Sequence, residues 1–237
     1  MEKGYKNIVY FFLVISVIIF IGLYKSYFGL FPALVAIKTI HHIHSFTLLS
    51  WLALLIIQPV LIRKKKYKWH RILGKVSYVL VPLIVIFMLL VYKNQYLKGE
   101  INGDPHTQNL AILFLPFTDT VPFTIFYVLA IINGKNIQKH MRYMICTAIV
   151  VVGPGLGRIF TSLLHLDFIT TTVAISVINL LLLAGFVFYD KTKDQRFKIS
   201  PFSYAILIFL TPNFLLFFIA FSNWWQSLAE GIVKTFF

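Results

Sequence analysis

Seven histidines, an aspartate inside one apolar run and an arginine inside another are the residues of this 237-residue chain best equipped for chemistry. They are His41, His42 and His44 together, then His70, His106, His140 and His165, with Asp119 and Arg158. An imidazole titrates near neutrality and binds metal ions through either ring nitrogen, so it can move protons or hold a metal. A carboxylate or guanidinium set among apolar residues is costly unless it is paired or put to use. The single cysteine, Cys146, excludes an internal disulfide framework and any cysteine-based zinc or iron–sulfur site.

The elements that must position these groups are membrane helices. The chain is 59% hydrophobic and only 13% charged, with a mean hydropathy of +0.81. A water-soluble fold of that balance lacks the polar surface to cover its core. Long apolar runs bounded by charge occur at 8–24, 45–62, 72–92, 109–132, 141–164, 168–189 and 202–221. Each nears or exceeds the ~20 residues that a helix needs to cross the hydrocarbon. The expectation is an all-α bundle of about seven spans forming a single transmembrane domain, 1–237, with its functional core in 41–165. The first span reads as an uncleaved helix. The segment 25–40 reads as an interfacial or re-entrant piece, or an extension of the second helix. Trp224 and Trp225 read as an outer aromatic anchor.

Charge orients the bundle. Most of the 22 basic residues, including the block Arg63–Lys75, fall on one side of a seven-span arrangement. The positive-inside rule makes that side cytoplasmic, with the N-terminus inside and the C-terminus outside. The net charge of +14 is therefore a topology signal. Its partner is the bilayer, with anionic lipid headgroups at Arg63–Lys75, and nucleic acid is excluded.

Helix phase groups the polar residues. At ~100° per residue, Arg158 shares its angle with His140, and Thr147 and His165 fall within about 20°. Arg158 stands about 27 Å above His140, and the short connection before His140 makes spans four and five antiparallel neighbours. An Asp119–Arg158 ion pair is therefore expected, either as a strut or as a proton relay or anion anchor. His44, Trp51, Leu55 and Gln58 phase together on span two. The Gly-Pro-Gly-Leu-Gly run at 153–157 reads as a kink with close approach of another helix or a flat ligand.

By side, His44 and His106 lie at outer helix ends, and His70 and His140 at inner ones. Two imidazoles from facing helices are what a b-type haem needs, and two stacked haems carry electrons across a membrane. The stretch from His44 to Tyr78, with His70-Arg71-Ile72-Leu73-Gly74, is similar to an uncharacterised family of bacterial multi-pass proteins. That family has a His-Arg-x-x-Gly helix opening and a later His-x-Arg-x-Met, matched here by His140, Arg142 and Met144. The resemblance covers spans two to five. More loosely, the pattern resembles the diheme transmembrane b-type cytochromes of the ascorbate-dependent ferric reductase kind. That resemblance implies haem b held by His44 with His106 and by His70 with His140. Arg158 and Asp119 would then tune the charge or meet propionates, and a redox partner or quinone would exchange electrons.

Other chemistry fits the same residues. A membrane metal hydrolase would hold zinc through His41, His44, His106 and His165, with Asp104 or Asp167. A proton-coupled transporter would use Asp119, Arg158 and the broken fifth helix. A non-catalytic assembly subunit needs no cofactor at all. The retinal-binding alternative fails because the last span, 202–221, contains no lysine. The leading expectation is a membrane redox protein in a bacterial-type inner membrane.

Overall fold

A computed structural model describes residues 5–25, 27–30, 38–193 and 199–237. It contains ten α-helices among the described residues: α1 (Ile8–Tyr24), α2 (Thr39–Arg63), α3 (Tyr67–Asn102), α4 (His106–Ile112), α5 (Leu115–Thr118), α6 (Thr120–Ile132), α7 (Ile137–Ser162), α8 (Phe168–Lys193), α9 (Pro201–Ile219) and α10 (Asn223–Phe236). Six helical segments are long and apolar enough to cross a membrane, with α4–α6 acting together as one of them. The shorter apolar α1 makes about seven. Within the segment 25–40, residues 26 and 31–37 lie outside the described residues. The described part includes a 3-10 turn at Phe28–Leu30.

The helix α7 is the axis. It is the most buried of the spans and packs against α1, α2, α6, α8 and α9. Lipid tails are as apolar as leucine, so helices in a bilayer associate through close fit and internal polar contacts rather than by leaving water. The glycine run in α7 supplies the close fit. A Cβ on Gly22 of α1 would stand 2.2 Å from the Gly155 carbonyl oxygen, and one on Gly155 would stand 2.9 Å from the Ile19 Cα. Gly155 of that run therefore serves the crossing of α1 over α7, while Gly153 and Gly157 face Ile175 on α8. A second tight crossing lies outward, where a Cβ on Gly99 would fall 2.1 Å from Asn109 Oδ1.

Between α2, α3 and α6 the core is aromatic. Trp51 is fully buried, with its ring 5.6 Å from Phe123 and 5.8 Å from Tyr127 in edge-on arrangements. The Tyr127 hydroxyl meets Ser77 Oγ at 2.9 Å.

Two spans differ from the sequence expectation. The third is 36 residues long, about 54 Å at 1.5 Å per residue, so α3 projects beyond the hydrocarbon. The fourth is not continuous. Pro116 opens α5 and Pro122 sits in the first turn of α6. A proline lacks the N–H that would bond four residues back, and its ring crowds that carbonyl. Here that carbonyl belongs to Thr118, and the chain unwinds at Asp119. At the outer end α10 lies against α4. Trp225 is buried there with its indole N–H on the Leu110 carbonyl at 3.0 Å, whereas Trp224 is 66% exposed. Of the expected aromatic anchor, only Trp224 is placed to act as one.

Candidate functional site

The inner end of the bundle holds two histidines that lie 70 residues apart in the chain. His70 stands in the first turn of α3 and His140 in the first turn of α7. They lie close enough to interact electrostatically. His140 Nδ1 is 2.8 Å from the Ala130 carbonyl, one of the last carbonyls of α6 and without a helical partner of its own. A carbonyl can only accept, so Nδ1 carries the proton and a neutral His140 keeps the Nε2 lone pair for another partner. His70 is held by its backbone, whose carbonyl accepts from Gln58 Nε2 at 3.2 Å. Its own Nδ1 is buried without a partner among the described residues.

Just beyond His140, Arg142 is fully buried in a contact that the sequence pattern does not signal directly. Its Nε and Nη2 donate to the two oxygens of Asp190 on α8, each at 2.8 Å. Asp190 also accepts from the Tyr5 hydroxyl at 2.6 Å and from Ser200 Oγ at 2.5 Å. Arg142 Nη1 reaches the Gln138 carbonyl at 3.1 Å, and the guanidinium lies over the Tyr5 ring. Ser200 is the N-cap of α9 as well. In the sequence Arg142 reads as a topology charge and as the Arg of the His-x-Arg-x-Met match, and Asp190 as the start of a basic connection. The signal that could have found them is a carboxylate closing the apolar run of α8, opposite an arginine one turn inside α7.

The outer half gathers a different group. His41 and His44 occupy the first turns of α2, within the helix rather than before it. Lys38 Nζ donates to Asn94 Oδ1 at 2.8 Å, which fixes the amide so that Asn94 Nδ2 faces His41 Nε2 at 3.1 Å. His42 Nδ1 meets the Tyr27 hydroxyl at 2.9 Å. Arg158 lies in electrostatic range of His41, His44 and Tyr92. The expected Asp119–Arg158 pair is not formed. Tyr92 intervenes, donating its hydroxyl to Asp119 Oδ2, and Thr120 Oγ1 donates to Asp119 Oδ1 at 2.8 Å. At the unwound turn the Asp119 carboxylate is thus held on Tyr92 of α3 and on Thr120.

No protein-family model matches the chain. Likewise, no curated protein and no solved structure matches it. Function therefore rests on the geometry.

The other histidines and acids singled out in the sequence separate. His106 is half-exposed, with Nδ1 2.9 Å from Glu100 and Nε2 3.1 Å from Glu230. Both nitrogens are taken by carboxylates, so the outer pairing of His44 with His106 is not assembled. His165 falls beyond the end of α7, exposed and at φ 54°, and so leaves the helical stripe expected to carry it. Asp167 caps α8, accepting from the backbone of Ile169 and Thr170 and from Thr170 Oγ1. Those bonds, the Thr170 hydroxyl first, hold its carboxyl below the ordinary aspartate range. Among the described residues no three His, Cys, Asp or Glu side chains lie close enough to hold a metal ion. The four-histidine zinc site is thus not built, because its members are spread over separate helices and loops.

Proposed function

We propose that this is a membrane redox protein holding one b-type haem at its inner end through His70 and His140. What supports the reading is that these two imidazoles lie in electrostatic range of each other at the inner end, with His140 fixed in the tautomer that leaves Nε2 available. Haem iron accepts two neutral imidazoles, and a second-nitrogen bond to a backbone carbonyl is the usual way of orienting such a ligand. The buried, unpartnered Nδ1 of His70 fits a site whose polar content exceeds what the protein itself satisfies. When bound, the haem supplies one-electron transfer. The chain's own part is to orient the His140 ring through the Ala130 carbonyl and to anchor the backbone of His70 through Gln58. The bilayer and the Trp51–Tyr127 aromatic core keep water away on the membrane side.

This reading departs from the diheme pattern in the outer half, since both nitrogens of His106 are engaged by carboxylates. The basic surface of Arg63–Lys75 fits the cytoplasmic face of a bacterial-type inner membrane. A soluble redox partner or a quinone would meet the site from that face.

The test is the visible spectrum of protein purified from haem-replete cells, oxidised and then reduced with dithionite. A Soret band that shifts on reduction is expected in the unaltered protein and in His106→Ala, and is lost in His70→Ala and His140→Ala. A folded but colourless protein, or one whose spectrum survives both inner substitutions, overturns the proposal.

A further inference from the structure

We infer that the outer half of the bundle contains a binding site for an oxyanion, a carboxylate or phosphate group, with Arg158 as its principal contact. Lys38, Lys98 and Arg158 all lie in electrostatic range of His41, and His42 adjoins them. Two exposed lysines and the half-buried Arg158 thus surround the imidazoles at the start of α2. No carboxylate is bonded to any of the three cations among the described residues. Lys38 reaches only the neutral amide of Asn94. The acid nearest in the network, Asp119, gives its two oxygens to Tyr92 and Thr120. Arg158 itself has no hydrogen-bond or ion-pair partner among the described residues.

A guanidinium withdrawn from water needs an acceptor, and uncompensated charge at membrane depth marks a working site. Arginine's planar fork matches the paired oxygens of a carboxylate or phosphate. A second observation points the same way. The His44 Nδ1 is buried without a partner among the described residues, and its ring lies in electrostatic range of Arg158. An oxyanion seated on Arg158 offers an oxygen to that nitrogen. The inference is independent of the inner haem site, because its residues, side of the membrane and readout are all different.

The oxyanion has two sources, a small soluble anion or the headgroup of an outer-leaflet lipid. Full-length protein in nanodiscs of phosphatidylcholine, at constant ionic strength set with chloride, is titrated with succinate and separately with inorganic phosphate. Binding is read by calorimetry and by the shift in melting temperature. A parallel set of nanodiscs contains phosphatidylglycerol. Saturable binding of either soluble anion, at least tenfold weaker in Arg158→Gln, identifies a soluble ligand. Stabilisation by phosphatidylglycerol alone, absent in Arg158→Gln, identifies a lipid headgroup. Arg158→Lys keeps the charge but not the fork, so it is expected to bind at an intermediate level and guards against loss of folding. No saturable effect of any probe, or equal effects in wild type and Arg158→Gln, overturns the inference.

Discussion

Arg142 and Arg158 stand on the same helix, 16 residues or about 24 Å apart, and they are solved in opposite ways. Arg142 is fully buried and held on both oxygens of Asp190, on the Gln138 carbonyl and over the Tyr5 ring. Its network joins the segment before α1 to α7, α8 and the cap of α9. Arg158 is half-buried, lies in electrostatic range of His41, His44 and Tyr92, and has no hydrogen-bond or ion-pair partner among the described residues. A charge whose every demand is met inside the fold is a strut. One left wanting by its own fold is available to something from outside.

The contrast can be broken most forcefully at the strut. Arg142→Ala or Asp190→Ala leaves a buried charge without its counter-ion, which costs about 3–5 kcal/mol. Denaturant-induced unfolding in mixed micelles should show that loss, and a change below about 1 kcal/mol would make the pair incidental. Replacing both residues together by leucine should recover much of the stability, since an apolar pair leaves no charge stranded.

Next in size is the crossing of α1 over α7. Gly155→Val would drive a side chain into the Ile19 backbone, and overpacking of this kind costs about 1–3 kcal/mol. Gly153→Ala is the control. Its added Cβ would meet Ile175 at 3.5 Å, an ordinary contact, so the melting temperature should hardly move.

Arg158→Gln sharpens the comparison from the other end. Because no internal partner is lost, its effect on stability should stay within about 1 kcal/mol, while the oxyanion response described above disappears. A large destabilisation would mean that Arg158 is a second strut.

The smallest effect belongs to the exposed outer triad. The Glu230 carboxyl is held below the ordinary glutamate range, first by the hydrogen bond from His106 and then by Lys234. A carboxyl depressed in the folded state stabilises the fold at neutral pH. That contribution fades as the pH falls from the usual glutamate value through the lowered one. Glu230→Gln should therefore lower the melting temperature slightly at neutral pH and match the unaltered protein in acid, flattening this part of the acid limb. An identical acid limb in the variant would show that the triad carries no weight.

The spans are legible in the sequence because lipid imposes a length and a composition that no other environment asks for, and six helices plus α1 follow the apolar runs closely. That His70 and His140 share the inner end is also legible, because each imidazole sits at the inner start of a helix and the alternation of spans fixes the side. Tertiary geometry is harder to see. Depth along neighbouring spans puts Asp119 opposite Arg158, but that reckoning assumes a continuous helix, and Pro116 and Pro122 break span four where the assumption matters. Phase misplaces His165 for a related reason, since α7 stops at Ser162 and cannot carry its stripe three residues farther. The Arg142–Asp190 contact is hidden by its surroundings. Both residues lie beside strongly basic connections, where charge reads as topology, and only the packing of α7 against α8 shows that they turn inward.

The haem content of the purified chain tests the central claim most directly. Conversion to the pyridine haemochrome, referred to protein concentration by amino-acid analysis, should give about one haem b per chain and none after His140→Ala. Two haems per chain would restore the outer ligand pair that His106 is here too occupied to complete. None, in a folded protein from haem-replete cells, would remove the inner site altogether.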